Sequence, residues 1–345
     1  MKTIISITLV GAFALTAACS GGEPESQANN AAQAVASEQA MSIDRLDPAL
    51  DAIIAPDTVI EKVATGFTFT EGPLWYKGRL WFADLPASRV IAMSPDGHYE
   101  TLIENSGGPT TASTSGFKGS NGMVATKDGD VLITQHASRQ IARVDGKMGM
   151  TTFLDKFEGK RLNSPNDLVF SPDGALWFTD PSFGLAKQDA DPAKEIDFNG
   201  VYRFADGKLT AAIKDLVMPN GIGFSPDGKV LYVNNSGPEM ALWRYDVAPD
   251  GTVSNGKPLV SWPGTADDVP DGLKLDAAGN IWASGPGGIR IITPEGKVLG
   301  QIKLPETAAN LGWADDGKTL YITGSTSIYR LRIAGTGQMP LYSQP

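Results

Sequence analysis

Apolar and polar positions alternate on a short beat from residue 59 onward. Six runs of one kind recur: Leu80-Trp-Phe-Ala83, Val131-Leu-Ile-Thr134, Leu176-Trp-Phe-Thr179, Val230-Leu-Tyr-Val233, Ile281-Trp-Ala-Ser284 and Leu320-Tyr-Ile-Thr323. Each is rich in β-branched or aromatic residues and each follows a glycine-containing turn, so each predicts a strand. The turns include Pro172-Asp-Gly174, Pro226-Asp-Gly228 and Asp315-Asp-Gly317. Glycine there supplies the positive φ that a tight hairpin needs. The six turn glycines, Gly78, Gly129, Gly174, Gly228, Gly279 and Gly317, lie 38 to 54 residues apart. That period, with about four strands per unit, predicts an all-β chain folded as a six-bladed β-propeller with four-stranded blades. The unit after Asn310 has room for only about three strands, whereas 58–64 reads as a strand ahead of the first full unit. The N-terminal strand is therefore expected to complete the last blade, which would close the ring and remove an open sheet edge.

A second pattern rides on the first. Glu71, Asn121, Asn166, Asn220, Asp271 and Asn310 each stand seven or eight positions before one of those glycines. In a propeller this phase puts all six at the start of the innermost strands, at one level, facing the axis. The set contains only Glu, Asn and Asp, which describes an oxygen-lined cation site. The chain has just two histidines and one cysteine, too few nitrogen or sulfur donors for a common zinc site. Carboxylate and amide oxygens suit Ca²⁺, which accepts six to eight of them in loose geometry, better than Mg²⁺. One divalent cation is expected.

The segment ahead of the repeat has a different character. Lys2 precedes an apolar run from Ile4 to Leu15 that ends in Leu15-Thr-Ala-Ala-Cys19. The run is short for a membrane span and fits a signal segment. Residues 1–18 are read as a lipoprotein signal peptide, with Cys19 as the lipidated residue. Residues 19–42, rich in Ala, Ser, Gln and Asn, are read as a flexible tether, and 43–345 as the propeller. With no Asp after Cys19, the expected location is exported and lipid-anchored, on the outer membrane facing the periplasm. Asp47-Pro48 offers a cap and a first-turn proline for one short helix near 47–54. The net charge of −10 argues against nucleic acid as a partner. Contact with a membrane is expected only through the anchor, and the sequence leaves the oligomeric state open.

Several motifs carry a family resemblance. Glu158-Gly-Lys-Arg-Leu-Asn-Ser-Pro-Asn-Asp-Leu168 and Trp177-Phe-Thr-Asp-Pro-Ser-Phe-Gly184 are the most specific. Glu71-Gly-Pro-Leu-Trp75, Pro219-Asn-Gly-Ile-Gly-Phe-Ser-Pro-Asp-Gly228, Asp268-Val-Pro-Asp-Gly-Leu273, Asn199-Gly-Val-Tyr-Arg203 and Gln135-His136 follow in support. Together they resemble the gluconolactonase branch of the gluconolactonase/regucalcin/luciferin-regenerating-enzyme family, over roughly residues 43–335. The resemblance implies a metal held by Glu71, Asn166, Asn220 and Asp271, with Asn121 contacting substrate or completing the shell through water. Position 135 is Gln here where relatives often carry Glu, which removes an acid–base role there.

The same resemblance implies hydrolysis of a sugar lactone such as glucono-1,5-lactone. Asp271 would act as general base or nucleophile and His136 could shuttle a proton. The long segments 105–120 and 181–200, the second carrying Phe183, are expected to shape and contact the substrate. His98 reads as solvated turn surface. Two other functions fit the residues: a different lactonase, esterase or phosphotriesterase on the same cage, and a non-catalytic propeller that binds a ligand or partner at the cell surface.

Overall fold

The computed structural model describes residues 41–109, 114–263 and 268–343. The signal segment, Cys19 and most of the proposed tether lie outside the described residues. From Met41 onward the chain forms six sheets arranged as blades. Blade one runs Thr70–Tyr76, Arg79–Asp84, Arg89–Met93 and Tyr99–Glu104 from the inside out. The inner strands of the next four blades are Ser120–Ala125, Leu168–Phe170, Pro219–Phe224 and Leu273–Leu275. Blade six is built from Ala308–Ala314, Thr319–Gly324 and Ser327–Arg332. Its outer strand is Glu61–Thr65, antiparallel to Ser327–Arg332. The expected ring closure is therefore present, with that strand displaced slightly from 58–64.

Two elements were not foreseen. Ser42–Arg45 pairs with Val298–Lys303 and gives blade five a fifth strand. Lys156–Phe157 and Lys160–Arg161 form a small separate hairpin. The helix near 47–54 is a single 3₁₀ turn, Pro48–Ala52, with the Asp47 carboxylate accepting the Ala49 N–H at 2.9 Å.

The strand runs are apolar on both faces because each blade is buried on both faces. The core divides into six clusters, one between each pair of neighbouring blades. Trp81, Val90 and Ala92 of blade one, for example, pack on Met123, Ile133 and Ala142 of blade two. Trp75, Phe82 and Ile91 pack instead on Tyr321 and Ile328 of blade six. All six turn glycines have positive φ, between 70° and 88°, as the hairpins require.

Candidate metal centre and active site

Glu71, Asn121, Asn220 and Asn310 lie at the second or third residue of their inner strands, and Asn166 and Asp271 stand two residues ahead of theirs. Glu71, Asn121, Asn166, Asn220 and Asn310 are buried, and Asp271 is half-buried. Backbone bonds between blades hold them at one level. The Gly122 N–H donates to the Asn166 carbonyl at 2.8 Å, Gly221 N–H to the Asp271 carbonyl at 3.0 Å, and Gly272 N–H to the Ala309 carbonyl at 2.8 Å. These contacts explain the glycine that follows four of the six polar residues. A Cβ on Gly72 would lie 1.9 Å from the Asn121 carbonyl oxygen, and one on Gly221 would lie 2.3 Å from that of Asp271.

The second strands finish the positioning. Thr134 Oγ1 donates to the Asn166 carbonyl, Asn234 Nδ2 to the Asp271 carbonyl and Ser284 Oγ to the Ala309 carbonyl, each at 2.7 Å. Thr134 and Ser284 come directly after the third residue of their apolar runs, and Asn234 directly after the fourth of Val230-Leu-Tyr-Val233. Their polarity there was visible in the sequence as a signal, but without blade neighbours it had no meaning.

The side chains divide by what they still lack. Asn220 Nδ2 donates to Ser236 Oγ at 3.1 Å, and Ser236 Oγ donates to the Pro270 carbonyl. This fixes the amide and leaves Asn220 Oδ1 buried with no hydrogen-bond partner, as is Asn121 Oδ1. Buried acceptors are ordinarily paired, so two orphaned amide oxygens beside carboxylates call for a cation or water. Glu71 Oε2 accepts the Gly72 N–H at 2.6 Å and Asn310 Nδ2 at 3.0 Å. Asn310, whose role the sequence left open, is thus a brace for Glu71.

Two channel residues were missed by sequence reasoning, Asp167 and Lys274. Lys274 Nζ lies 3.6 Å from Asp167 Oδ2 and 3.2 Å from Asn310 Oδ1. Burial pushes Glu71 up to about 7, and the nearby Asp167 charge adds to this; the Gly72 and Asn310 hydrogen bonds and Lys274 act the other way. Asp271 is raised well above the usual carboxylate range by burial, then by Glu71 and Asp167. Among the described residues no three His, Cys, Asp or Glu side chains form a metal cluster. The cage is instead two like-charged carboxylates, the buried Glu71 and the half-buried Asp271, facing amide oxygens. Such a donor set fits a hard divalent cation, which would relieve both the repulsion and the orphaned oxygens.

His136 ends the second strand of blade two, on the same side as the cage. It is buried, and its Nδ1 lies 3.2 Å from the Phe117 carbonyl. A carbonyl only accepts, so Nδ1 carries the proton and Nε2, which has no partner, keeps a free lone pair. Burial lowers His136 to about 4, so it is neutral at physiological pH. Gln135, by contrast, is spent on structure: it donates to the Ser106 carbonyl and accepts from Gln140, each at 2.6 Å.

The two long segments meet over this end of the channel. Thr114 bridges Leu185, and Ser115 Oγ donates to the Phe183 carbonyl at 2.5 Å. Gly184 lies against His136 and Ser164. Phe183 is half-buried in this joint. His98 is exposed in its turn, away from the cage.

A six-bladed propeller with carboxylate and amide oxygens gathered at one end of its axial channel is the class that fold and site define. The SMP-30/Gluconolactonase/LRE-like region model matches residues 69–326, and the chain belongs to that family. It is 36% identical over 304 residues to a gluconolactonase from Zymomonas mobilis, covering 84% of this chain and 85% of that one. A solved gluconolactonase from Xanthomonas campestris superposes with a TM-score of 0.74 at 29% identity, over 84% of this chain and 94% of that chain. A diisopropyl-fluorophosphatase from Loligo vulgaris is 26% identical over 282 residues, which is 77% of this chain and 89% of the relative.

Proposed function

We propose that this chain is a lactone hydrolase that opens sugar lactones such as glucono-1,5-lactone, with one divalent cation, Ca²⁺, held by Glu71, Asn166, Asn220 and Asp271. The observation that carries this is the pairing of two carboxylates, Glu71 and Asp271, with two orphaned amide oxygens, in a chain similar to gluconolactonases over most of its length. A cation in the cage would supply Lewis-acid stabilisation of negative charge at the lactone carbonyl. Asp271 takes the proton of the water that adds to the carbonyl, or adds to the carbonyl itself to give a mixed anhydride that water then opens; on either route the ring C–O bond breaks, and on the second the ring oxygen takes its proton from water. As general base, Asp271 returns its proton to the departing ring oxygen. Asn121 orients substrate or water through its free Oδ1. The neutral His136 accepts a hydrogen bond at Nε2 and can pass a proton. The joined loops, with Phe183 and Phe117, wall the entrance.

The purified protein is expected to acidify glucono-1,5-lactone in a pH-indicator assay, and EDTA is expected to abolish the rate until Ca²⁺ is restored. Turnover of organophosphates or aryl esters but of no sugar lactone would transfer the site to the phosphotriesterase or esterase reading; the Loligo vulgaris relative, a diisopropyl-fluorophosphatase, is why organophosphates are included. No turnover on any of these substrates would favour a non-catalytic binding propeller. The proposal extends to location: Leu15-Thr-Ala-Ala-Cys19 supports an exported chain lipid-anchored at Cys19 on the outer membrane. Palmitate label incorporated by the wild type and lost in Cys19→Ala is the expected result, and label retained by the variant would overturn it.

A further inference from the structure

Below the cage the channel holds a second polar layer. Asp167 is buried; its Oδ1 accepts the Leu168 N–H at 2.8 Å, and its Oδ2 has no hydrogen-bond partner. The nearest cation is Lys274 Nζ, 3.6 Å away. That ammonium also donates to the Leu273 carbonyl at 2.9 Å and to Asn310 Oδ1 at 3.2 Å. Asn310 Oδ1 further accepts the Leu311 N–H at 2.8 Å. With its oxygen held from two sides, Asn310 must turn Nδ2 toward Glu71, to which it donates at 3.0 Å. Lys274, about a quarter exposed, is therefore flanked by three oxygens, and it acts on the cage through one intervening side chain.

Charge gives this layer its meaning. Three carboxylates, Glu71, Asp167 and Asp271, share the channel with one ammonium. The balance is two negative charges, which one divalent cation neutralises. Beneath the layer lies a cavity of about 240 Å³, lined in part by Asp167, Lys274 and Asn310 and bounded by Met339 and Tyr342 of the C-terminal segment. It offers room for a hydrated ion beside Asp167 if the ammonium were removed.

We propose that Lys274 is a built-in cation occupying a second ion position, so that the channel takes a single divalent ion and Asn310 is locked against Glu71. The inference rests on the metal reading of the cage, but not on lactone turnover. Ca²⁺ bound per chain is to be counted by equilibrium dialysis and atomic emission on the purified protein after EDTA stripping. The expected result is one Ca²⁺ in the wild type, two in Lys274→Gln, and one again in Lys274→Gln/Asp167→Asn. Asp167→Asn alone leaves one negative charge in the channel and should weaken Ca²⁺ by on the order of ten-fold or more. This arm stands even if Lys274→Gln does not fold. One Ca²⁺ in Lys274→Gln, two in the wild type, or unchanged affinity in Asp167→Asn would overturn the inference. No Ca²⁺ in the wild type would overturn the metal reading itself.

Discussion

Asp271→Asn is expected to lower kcat/KM for a sugar lactone by roughly 10³-fold or more. The change keeps the shape of the side chain and removes its charge and its ability to take a proton. Its backbone would stay in place, because the Asp271 carbonyl is held by Gly221 N–H and Asn234 Nδ2 whatever the side chain. The loss can arise in two ways, and saturating Ca²⁺ separates them. If kcat remains low with the cage filled, the carboxylate acts in the chemistry; if kcat recovers, it served only to hold the ion. Full activity without added Ca²⁺ would remove Asp271 from the mechanism altogether. A single turnover in ¹⁸O-water then divides base from nucleophile. A base delivers solvent oxygen to the product at once. A nucleophile forms a mixed anhydride, and water that opens it at the Asp271 carbonyl gives the product the Asp271 oxygen and leaves the label on the peptide that contains Asp271.

The architecture was legible in the sequence because blade packing constrains every repeat in the same manner. A strand buried on both faces must be apolar throughout, and a tight hairpin needs glycine, so Leu176-Trp-Phe-Thr179 and Pro172-Asp-Gly174 declare themselves locally. The cage was legible for the same reason: its residues recur in phase with those turns. Asp167 and Lys274 were not, because they belong to single blades and repeat nowhere. Asp167 also stands beside Asn166, and a one-residue offset in a strand sends a side chain elsewhere unless the strand starts irregularly. The role of Asn310 was hidden because it depends on Glu71, 239 residues away across the ring closure. The neutrality of His136 follows from its burial, which outweighs the opposing pull of the Phe117 carbonyl, and only the fold supplies both. The extra strand Ser42–Arg45 pairs at the far edge of blade five and follows no repeat.

Stripped of its cation, the protein is expected to lose stability as pH rises from 5 to 8, and Ca²⁺ is expected to restore what is lost. Glu71 in the metal-free fold titrates at about 7 against an ordinary 4.5, chiefly because it is buried. Well below 4.5 the folded and unfolded chains both hold the proton and there is no penalty. Between 4.5 and 7 the unfolded chain releases the proton while the fold retains it, so stability falls with pH. Above 7 the loss from Glu71 is complete, at roughly 3 kcal/mol. Asp271, raised well above 3.8 by burial and by Glu71, adds to the loss and extends it upward. A divalent cation binds the ionised pair, so its stabilising effect grows over the same window. Thermal melts at pH 5 and pH 8, with EDTA or with excess Ca²⁺, check this. In EDTA the Tm at pH 8 should lie roughly 5 °C or more below that at pH 5, and Ca²⁺ should close the gap. Glu71→Gln cannot ionise, so its EDTA melts should depend less on pH than those of the wild type. A wild-type Tm in EDTA that is flat across this range, or a Ca²⁺ increment equal at both pH values, would mean that Glu71 and Asp271 are not a strained pair awaiting a cation.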